Sequence, residues 1–394
     1  MKSPDTPLLI YCDNAATTLT PQPVIDALVQ YYTHEHAPIH RGIYARAEYA
    51  TERYEQARAT VARFIGACSD EIVFTSGATQ AINMVARGWG DKHVMAGDEI
   101  IVSALEHHAN VVPWQELARR KNAVLRVIPL TGEGKLDMQA YRALLSFKTK
   151  IVAVTHVSNV LGTRVDVQTI ALMAHAVGAK VLIDACQSVP HERIDVSSLG
   201  ADFLVFSGHK LYGPTGIGVL WISRDLHDAI EPVVYGGGMV YSVGAHAASW
   251  VRGLRKLEAG SPPAAQAVGL AAAIDYLEKT VDFALLRIQE AALCMQLIEG
   301  LQRIPGIQVL GPIEELKKNG HLVSFVVDGM HAHDVAAYLD MHGIAVRAGH
   351  HCAQPLHQML GIQASIRVSF YAHNTAQEVA YLLACLTRLK KDEA

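Results

Sequence analysis

Between about residues 70 and 222 the chain alternates short apolar runs with longer amphipathic ones, and few folds accept that pattern. The runs Glu71–Thr75, Glu99–Ser103, Leu125–Leu130, Ile151–Thr155, Lys180–Asp184, Phe203–Phe206 and Ile217–Ile222 have the length and content of buried strands. Between several of them apolar residues fall at helical spacing, as at Ile170, Met173, Ala174 and Val177 ahead of Gly178, a good helix terminator. Strands separated by covering helices predict an α/β fold with a mainly parallel seven-stranded sheet. Such sheets bind ligands beyond the carboxyl ends of their strands.

Upstream, Thr20-Pro21 followed by Val24, Leu28 and Tyr31 reads as a capped helix, and a second helix should run from about Ala45 to Ile65 and stop at Gly66. After Gly260-Ser261-Pro262-Pro263 the pattern changes to two long Ala- and Leu-rich helices. Shorter strands follow around 321–328, 344–347 and 365–370, then a closing helix from about Thr375. That break divides a large domain, 21–262, from a smaller α/β C-terminal domain, 263–394. Half the residues are apolar and 18% are charged, as in chains that bury a full core. Lys and Arg total 34 against 38 Asp and Glu with no basic stripe, which argues against a nucleic-acid partner. The first residues, with Pro4 and Pro7, have no signal-peptide core, and no eighteen-residue apolar stretch occurs, so a cytoplasmic protein without a membrane partner is expected. The cysteines at 12, 68, 186, 294, 352 and 385 contain no CxxC, which suggests neither a metal site nor a disulfide framework.

The chemistry begins at Lys180–Asp184, an apolar strand ending in a carboxylate that should point into the ligand crevice. An acid there needs a cation. A pyridinium nitrogen would supply one, because an aspartate beside it keeps the ring protonated and able to accept electrons; a helix-capping Asp is the plainer alternative. The next strand runs into Ser207-Gly208-His209-Lys210, a glycine-rich loop with a lysine at its mouth. A partly desolvated lysine can form an imine, and Ser207 and His209 are small polar neighbours suited to a phosphate. Phe74-Thr75-Ser76-Gly77-Ala78-Thr79 is a strand, a turn and a helix start, whose free N–H groups with Ser76 and Thr79 would also cradle phosphate. In Leu105-Glu106-His107-His108, an imidazole just after a strand could stack on a cofactor ring or move protons. Together these residues point to pyridoxal 5'-phosphate held as a Schiff base by Lys210.

Several stretches sharpen that reading: Tyr11-Cys-Asp-Asn-Ala-Ala16, His40-Arg41-Gly42, Glu106 to Trp114, Thr155 to Gly162, Phe206 to Gly218 and Val346 to Pro355. Through them the whole chain resembles the Suf/Csd-type cysteine desulfurases, the second group of that family, close to selenocysteine lyases within the class V aminotransferases. The resemblance implies a pyridoxal-phosphate-dependent transferase of fold type I, with an N-terminal arm, 1–20, packing with the small domain. It implies that Lys210 binds the cofactor covalently, that Asp184 pairs with the pyridinium, and that His107 stacks on the ring and helps move protons. Asn159 and Gln187 would lie near the ring's phenolic oxygen and the substrate. Thr79, Ser207 and His209 would hold the phosphate. Arg367 would clamp the substrate carboxylate, a task suited to a guanidinium, with Arg347 and Arg41 in the same pocket.

Cys352 separates sulfur chemistry from transamination. A thiolate there would take the sulfur of L-cysteine as a persulfide and leave L-alanine, and the Arg347-Ala-Gly-His-His-Cys352 loop places an arginine and two histidines beside it. In its short loop the chain resembles the second group of the family, and that resemblance implies a dedicated acceptor, a SufE- or SufU-like protein, feeding iron–sulfur cluster or other thio-cofactor assembly. Ser76 and Ala78 stand where the family has Arg and Thr, and Ser261-Pro262-Pro263 where it has Thr-Pro-Asn; Ser261 keeps the hydroxyl expected to reach the phosphate across a homodimer. Cys186, two residues from Asp184, should share its face either as a rival thiol or as a buried filler. A selenocysteine lyase or cysteine-sulfinate-acting relative would share Lys210, Asp184 and Arg367, and an inactive cofactor-binding scaffold is the non-enzymatic alternative.

Overall fold

A computed structural model describes residues 9–392. Seven strands form one sheet in the spatial order Ile72–Thr75, Gly218–Ile222, Phe203–Ser207, Lys180–Asp184, Thr149–Thr155, Glu99–Ser103, Val124–Ile128. All neighbours pair in parallel except Gly218–Ile222, which runs antiparallel to both of its partners. The strands expected from the apolar runs are thus the strands observed, with ends moved by a residue or two, and the sheet is mainly parallel as expected. Its central strands are buried on both faces, which is why they read as continuous apolar runs rather than as alternation. The Ala45–Phe64 helix ends at Gly66, whose φ of +69° suits the left-handed stop.

A second sheet of four antiparallel strands has the order Ile307–Leu310, Leu322–Val327, Ser365–Ser369, Arg347–Gly349. It packs with the long helices Phe283–Leu301 and Ala376–Asp392 around a separate apolar core. Two strand features had no counterpart in the sequence reading, the strand Ile307–Leu310 and the hairpin of Val240–Val243 with Ala248–Trp250, while Ile10–Tyr11 pairs in parallel with Ile344–Ala345. Of the N-terminal arm, residues 1–8 lie outside the described residues.

The segment 9–18 stitches the two halves together. Its start pairs with Ile344–Ala345, Ala15 N–H donates to Ser369 Oγ at 2.9 Å, and the Thr17 and Thr18 hydroxyls both donate to the His209 carbonyl at 3.1 Å. A cleft remains where the carboxyl ends of the parallel strands meet the Ser365–Ser369 strand.

Candidate active site

One cavity in that cleft is lined by Thr79, His107, Asn159, Asp184, Ser207, His209, Lys210, Arg347, Cys352 and Arg367, together with Ala15, Ala16, Ala78, Ala109, Cys186 and His351. Ten of the residues singled out from the sequence therefore converge, from strands and loops more than a hundred residues apart. Three do not. Gln187 stands just behind: its amide donates to the Ala15 carbonyl at 2.8 Å and its oxygen lies 3.3 Å from His321 Nε2, so it fixes the cavity wall. Ser261 and Arg41 line a different cavity, with Tyr31, His40 and Pro262.

Asp184 ends its strand buried, and its Oδ1 accepts from Cys186 N–H at 3.0 Å. Among the described residues it has no ion pair, and the Lys210 ammonium has neither an ion pair nor a hydrogen bond. Ser207 Oγ accepts the Ala78 N–H at 2.9 Å, leaving its own proton free to donate. There Gly218 comes so close that a Cβ on it would lie 2.4 Å from Gly77 Cα, so only glycine lets the two backbones meet.

His107 leaves the strand end after Glu106, whose carboxyl accepts from Ser103 Oγ, from Thr155 N–H at 2.8 Å and from Asn110 Nδ2 at 2.6 Å. Burial pushes Glu106 up to about 8. His107 Nδ1 accepts Ala109 N–H at 3.0 Å, so Nε2 carries the ring proton. Burial, then the Lys210 charge, lowers its pKa to about 4, and the same two causes bring His209 to about 4. Both rings are neutral at pH 7.

Cys352 is exposed at the cavity's rim, in a loop held by its neighbours. His108 N–H donates to its carbonyl at 2.7 Å, Gln354 N–H donates to His108 Nε2 at 2.9 Å, and Asn159 Nδ2 donates to the His351 carbonyl at 2.7 Å. His351 and Cys352 have φ of +51° and +56°, a consecutive left-handed pair. Each such non-glycine residue costs on the order of 1–3 kcal/mol, which the surrounding bonds must overcome. The histidines around Cys352 do not all bring positive charge: burial holds His351, in the loop, at about 2 and lowers His108, which faces it from another segment, below the ordinary histidine value. The guanidinium groups of Arg367 and Arg347 share the cavity with Lys210. Cys186 is buried, and desolvation followed by the Asp184 carboxylate pushes its thiol up to about 12.

Arg367, 2% exposed, donates from Nη1 to the Asn159 carbonyl at 2.8 Å and from Nη2 to Asp13 Oδ1 at 2.9 Å. Arg347 Nη1 lies 4.0 Å from Asp13 Oδ2. Asp13 is the residue the sequence reading passed over. It sits inside Tyr11–Ala16, where a single acid among small residues was the available signal, and it neutralises one of two arginines so that one positive charge remains for an anion. Arg367 Nε and His351 Nδ1 are buried without partners.

The donor set fits pyridoxal phosphate: a lysine amine, an aspartate with no ion-pair partner among the described residues, a neutral imidazole, and hydroxyl and N–H groups at a helix start.

The sequence matches the aminotransferase class-V family over residues 10–382, and the chain belongs to that family. Within it the likeness is to cysteine desulfurases. The chain is 45% identical over 384 residues to a probable cysteine desulfurase of Staphylococcus aureus strain N315, covering 97% of this chain and 92% of that one. It matches the solved apo cysteine desulfurase of Thermococcus onnurineus NA1 with a TM-score of 0.94 at 41% identity, over 98% of this chain and 95% of that one. It matches the Escherichia coli cysteine desulfurase CsdA with a TM-score of 0.90 at 37% identity, over 97% and 95%.

Proposed function

We propose that the chain is a pyridoxal-phosphate-dependent cysteine desulfurase that converts L-cysteine to L-alanine and collects the sulfur on Cys352. The observation that carries this reading is Cys352 on a strained, anchored loop at the rim of the cavity that holds Lys210 and Asp184. When bound, pyridoxal phosphate supplies an electron sink for the substrate's carbon electrons. Lys210 would hold the cofactor covalently and carry protons, and Asp184 would keep its ring nitrogen protonated. Thr79, Ser207 and His209 would hold its phosphate, and neutral His107 would lie against its ring. Arg367, steadied by Asp13, and Arg347 would bind the substrate carboxylate. Cys352 takes the sulfur: an Sγ–S bond forms as the substrate's C–S bond breaks, and protons returned to the carbon side leave alanine.

The persulfide would pass to a SufE- or SufU-like acceptor protein for iron–sulfur cluster or other thio-cofactor assembly. A homodimer is supported by the separation of Ser261 and Arg41 from Lys210 within one chain, since a second chain could bring them to its partner's site. Six free cysteines suit a reducing cytoplasm, and no helix among the described residues is long and apolar enough to cross a membrane.

The test is incubation of the holoenzyme with L-cysteine and mass spectrometry of the peptide containing Cys352. A gain of one sulfur there is expected, and its absence with alanine still formed would refute the assignment. Turnover on cysteine, selenocysteine and cysteine sulfinate compared side by side fixes the substrate.

A further inference from the structure

Beneath the Cys352 loop lie three buried polar side chains, and their hydrogen bonds have one direction from end to end. His357 and Ser365 are 0% exposed. His357 Nδ1 is 3.1 Å from the Ala353 carbonyl, which can only accept, so Nδ1 carries the proton and Nε2 is a bare acceptor. Ser365 Oγ, 2.9 Å from that Nε2, must then donate to it. This leaves the lone pairs of Ser365 for His351 Nε2–H, which lies 3.0 Å from Ser365 Oγ and 3.1 Å from the Ser365 carbonyl. Every proton in the chain His357, Ser365, His351 has one place.

The consequence falls on Cys352. The His351 ring is held by Ser365, the His351 carbonyl by Asn159 and the Cys352 carbonyl by His108. With the peptide planes on both sides of Cys352 fixed, its Cα–Cβ bond has a set direction and the sulfur keeps a single rotor, χ1. Without those bonds, two adjacent non-glycine residues would relax out of the left-handed region. Neither His357 nor Ser365 lines the cavity, so neither would touch cofactor or substrate.

We propose that His357 and Ser365 are positioning residues for Cys352: the relay His357–Ser365–His351 keeps the loop in the left-handed conformation that aims the sulfur into the Lys210 cavity. The inference rests on the desulfurase reading and assigns that reaction two residues that act through a third.

The test compares His357→Leu, His357→Gln and Ser365→Ala with wild type, all as holoenzyme. Leucine keeps bulk and removes both bonds. Glutamine can put a carbonyl oxygen where Nε2 stood and so keeps an acceptor for Ser365. Four quantities are read: the single-turnover rate of sulfur gain on Cys352 by mass spectrometry, the KM for L-cysteine, the cofactor absorption spectrum, and amide exchange over residues 350–357. His357→Leu and Ser365→Ala are expected to slow sulfur gain about tenfold with KM and spectrum unchanged. Exchange should speed up at Ala353 and His357, whose amides are bonded to the His350 and Ala353 carbonyls. His357→Gln should recover to within about threefold of wild type. Sulfur gain at the wild-type rate in both disruptive variants overturns the relay, and so does a parallel change in KM and spectrum, which would mark a general support of the fold. Should His357→Leu not fold, Ser365→Ala, which removes a single oxygen, decides on the same readings. A wild-type enzyme that gains no sulfur on Cys352 defeats the desulfurase reading instead, and amide exchange in Ser365→Ala then decides the relay by itself.

Discussion

At Cys352 the backbone adopts a conformation that cysteine seldom takes, and the thiol is exposed while Cys186, lining the same cavity, is buried. The two thiols are not equivalent. Burial, then the Asp184 carboxylate, pushes the Cys186 thiol up to about 12 and holds it protonated, which makes it a poor substitute for the exposed Cys352. Cys352→Ser should therefore keep the cofactor spectrum and cysteine binding but lose sulfur gain entirely, with none appearing on the Cys186 peptide; sulfide release at the wild-type rate would sink the mechanism. Lys210→Ala should lose the covalent link to the cofactor, read as a changed absorption spectrum and a cofactor removable by dialysis. Lys210, Asp184 and Cys352 were legible in the sequence because each follows an apolar strand or sits in a short polar loop. Asp13 and Gln187 were harder, for their effect on the cavity passes through Arg367 and Ala15, contacts that only three-dimensional packing creates.

Among the elements, the Ser365–Ser369 strand shows how a two-residue period divides labour. Ile366 and Val368 enter the small core, while Ser365, Arg367 and Ser369 take the opposite face and bind His351, Asp13 and Ala15, with Arg367 alone of the three lining the cavity. That alternation is readable in the sequence, but the faces the two sets meet are not. Strand positions were likewise legible from apolar runs, whereas the antiparallel course of Gly218–Ile222 was not, since an apolar run carries no direction. The Ile307–Leu310 strand escaped because its burial alternates over only four residues at a sheet edge. Where Gly218 meets Gly77, the turn that starts the Ala78–Met84 helix is set by the missing Cβ. Gly218→Ala must push Gly77 away and with it the Ala78 N–H that Ser207 accepts. The expected result is a loss of about 1–3 kcal/mol in denaturant unfolding and weaker cofactor retention, and an unchanged unfolding midpoint would show that the turn yields freely.

Across the whole molecule, the site lies between two apolar cores and is closed by bonds that cross from one to the other, His108 to Cys352, Asn159 to His351 and Arg367 to Asn159. Exposed Ile43, Tyr241 and Val243, at 97%, 82% and 68%, are large apolar side chains of the kind a dimer interface covers; sedimentation should give twice the chain mass, and a monomer at micromolar concentration would refute the homodimer. The buried histidines couple this architecture to pH. Burial is the first cause of the lowered pKa at His107, His156 and His209, each to about 4, and at His351, to about 2. In the unfolded chain the same rings titrate near 6.5. Between those values the unfolded state binds more protons than the native one at these four rings, so their contribution to stability is fully present above about pH 6.5 and is lost as pH falls toward 4, while Glu106, raised to about 8, contributes in the opposite direction. A shift of that size at one well-buried ring is worth on the order of 3 kcal/mol, and four such rings act in the same direction. Thermal melts of the holoenzyme at about pH 7.5, 6.5, 5.5 and 4.5, starting a unit above the window and running into it, should show a slight rise across the first pair, where Glu106 takes up its proton, and a fall across the rest. A melting temperature unchanged down to pH 4.5 would mean that these rings accept protons without leaving the core, and that the site's neutral imidazoles owe their state to something other than burial.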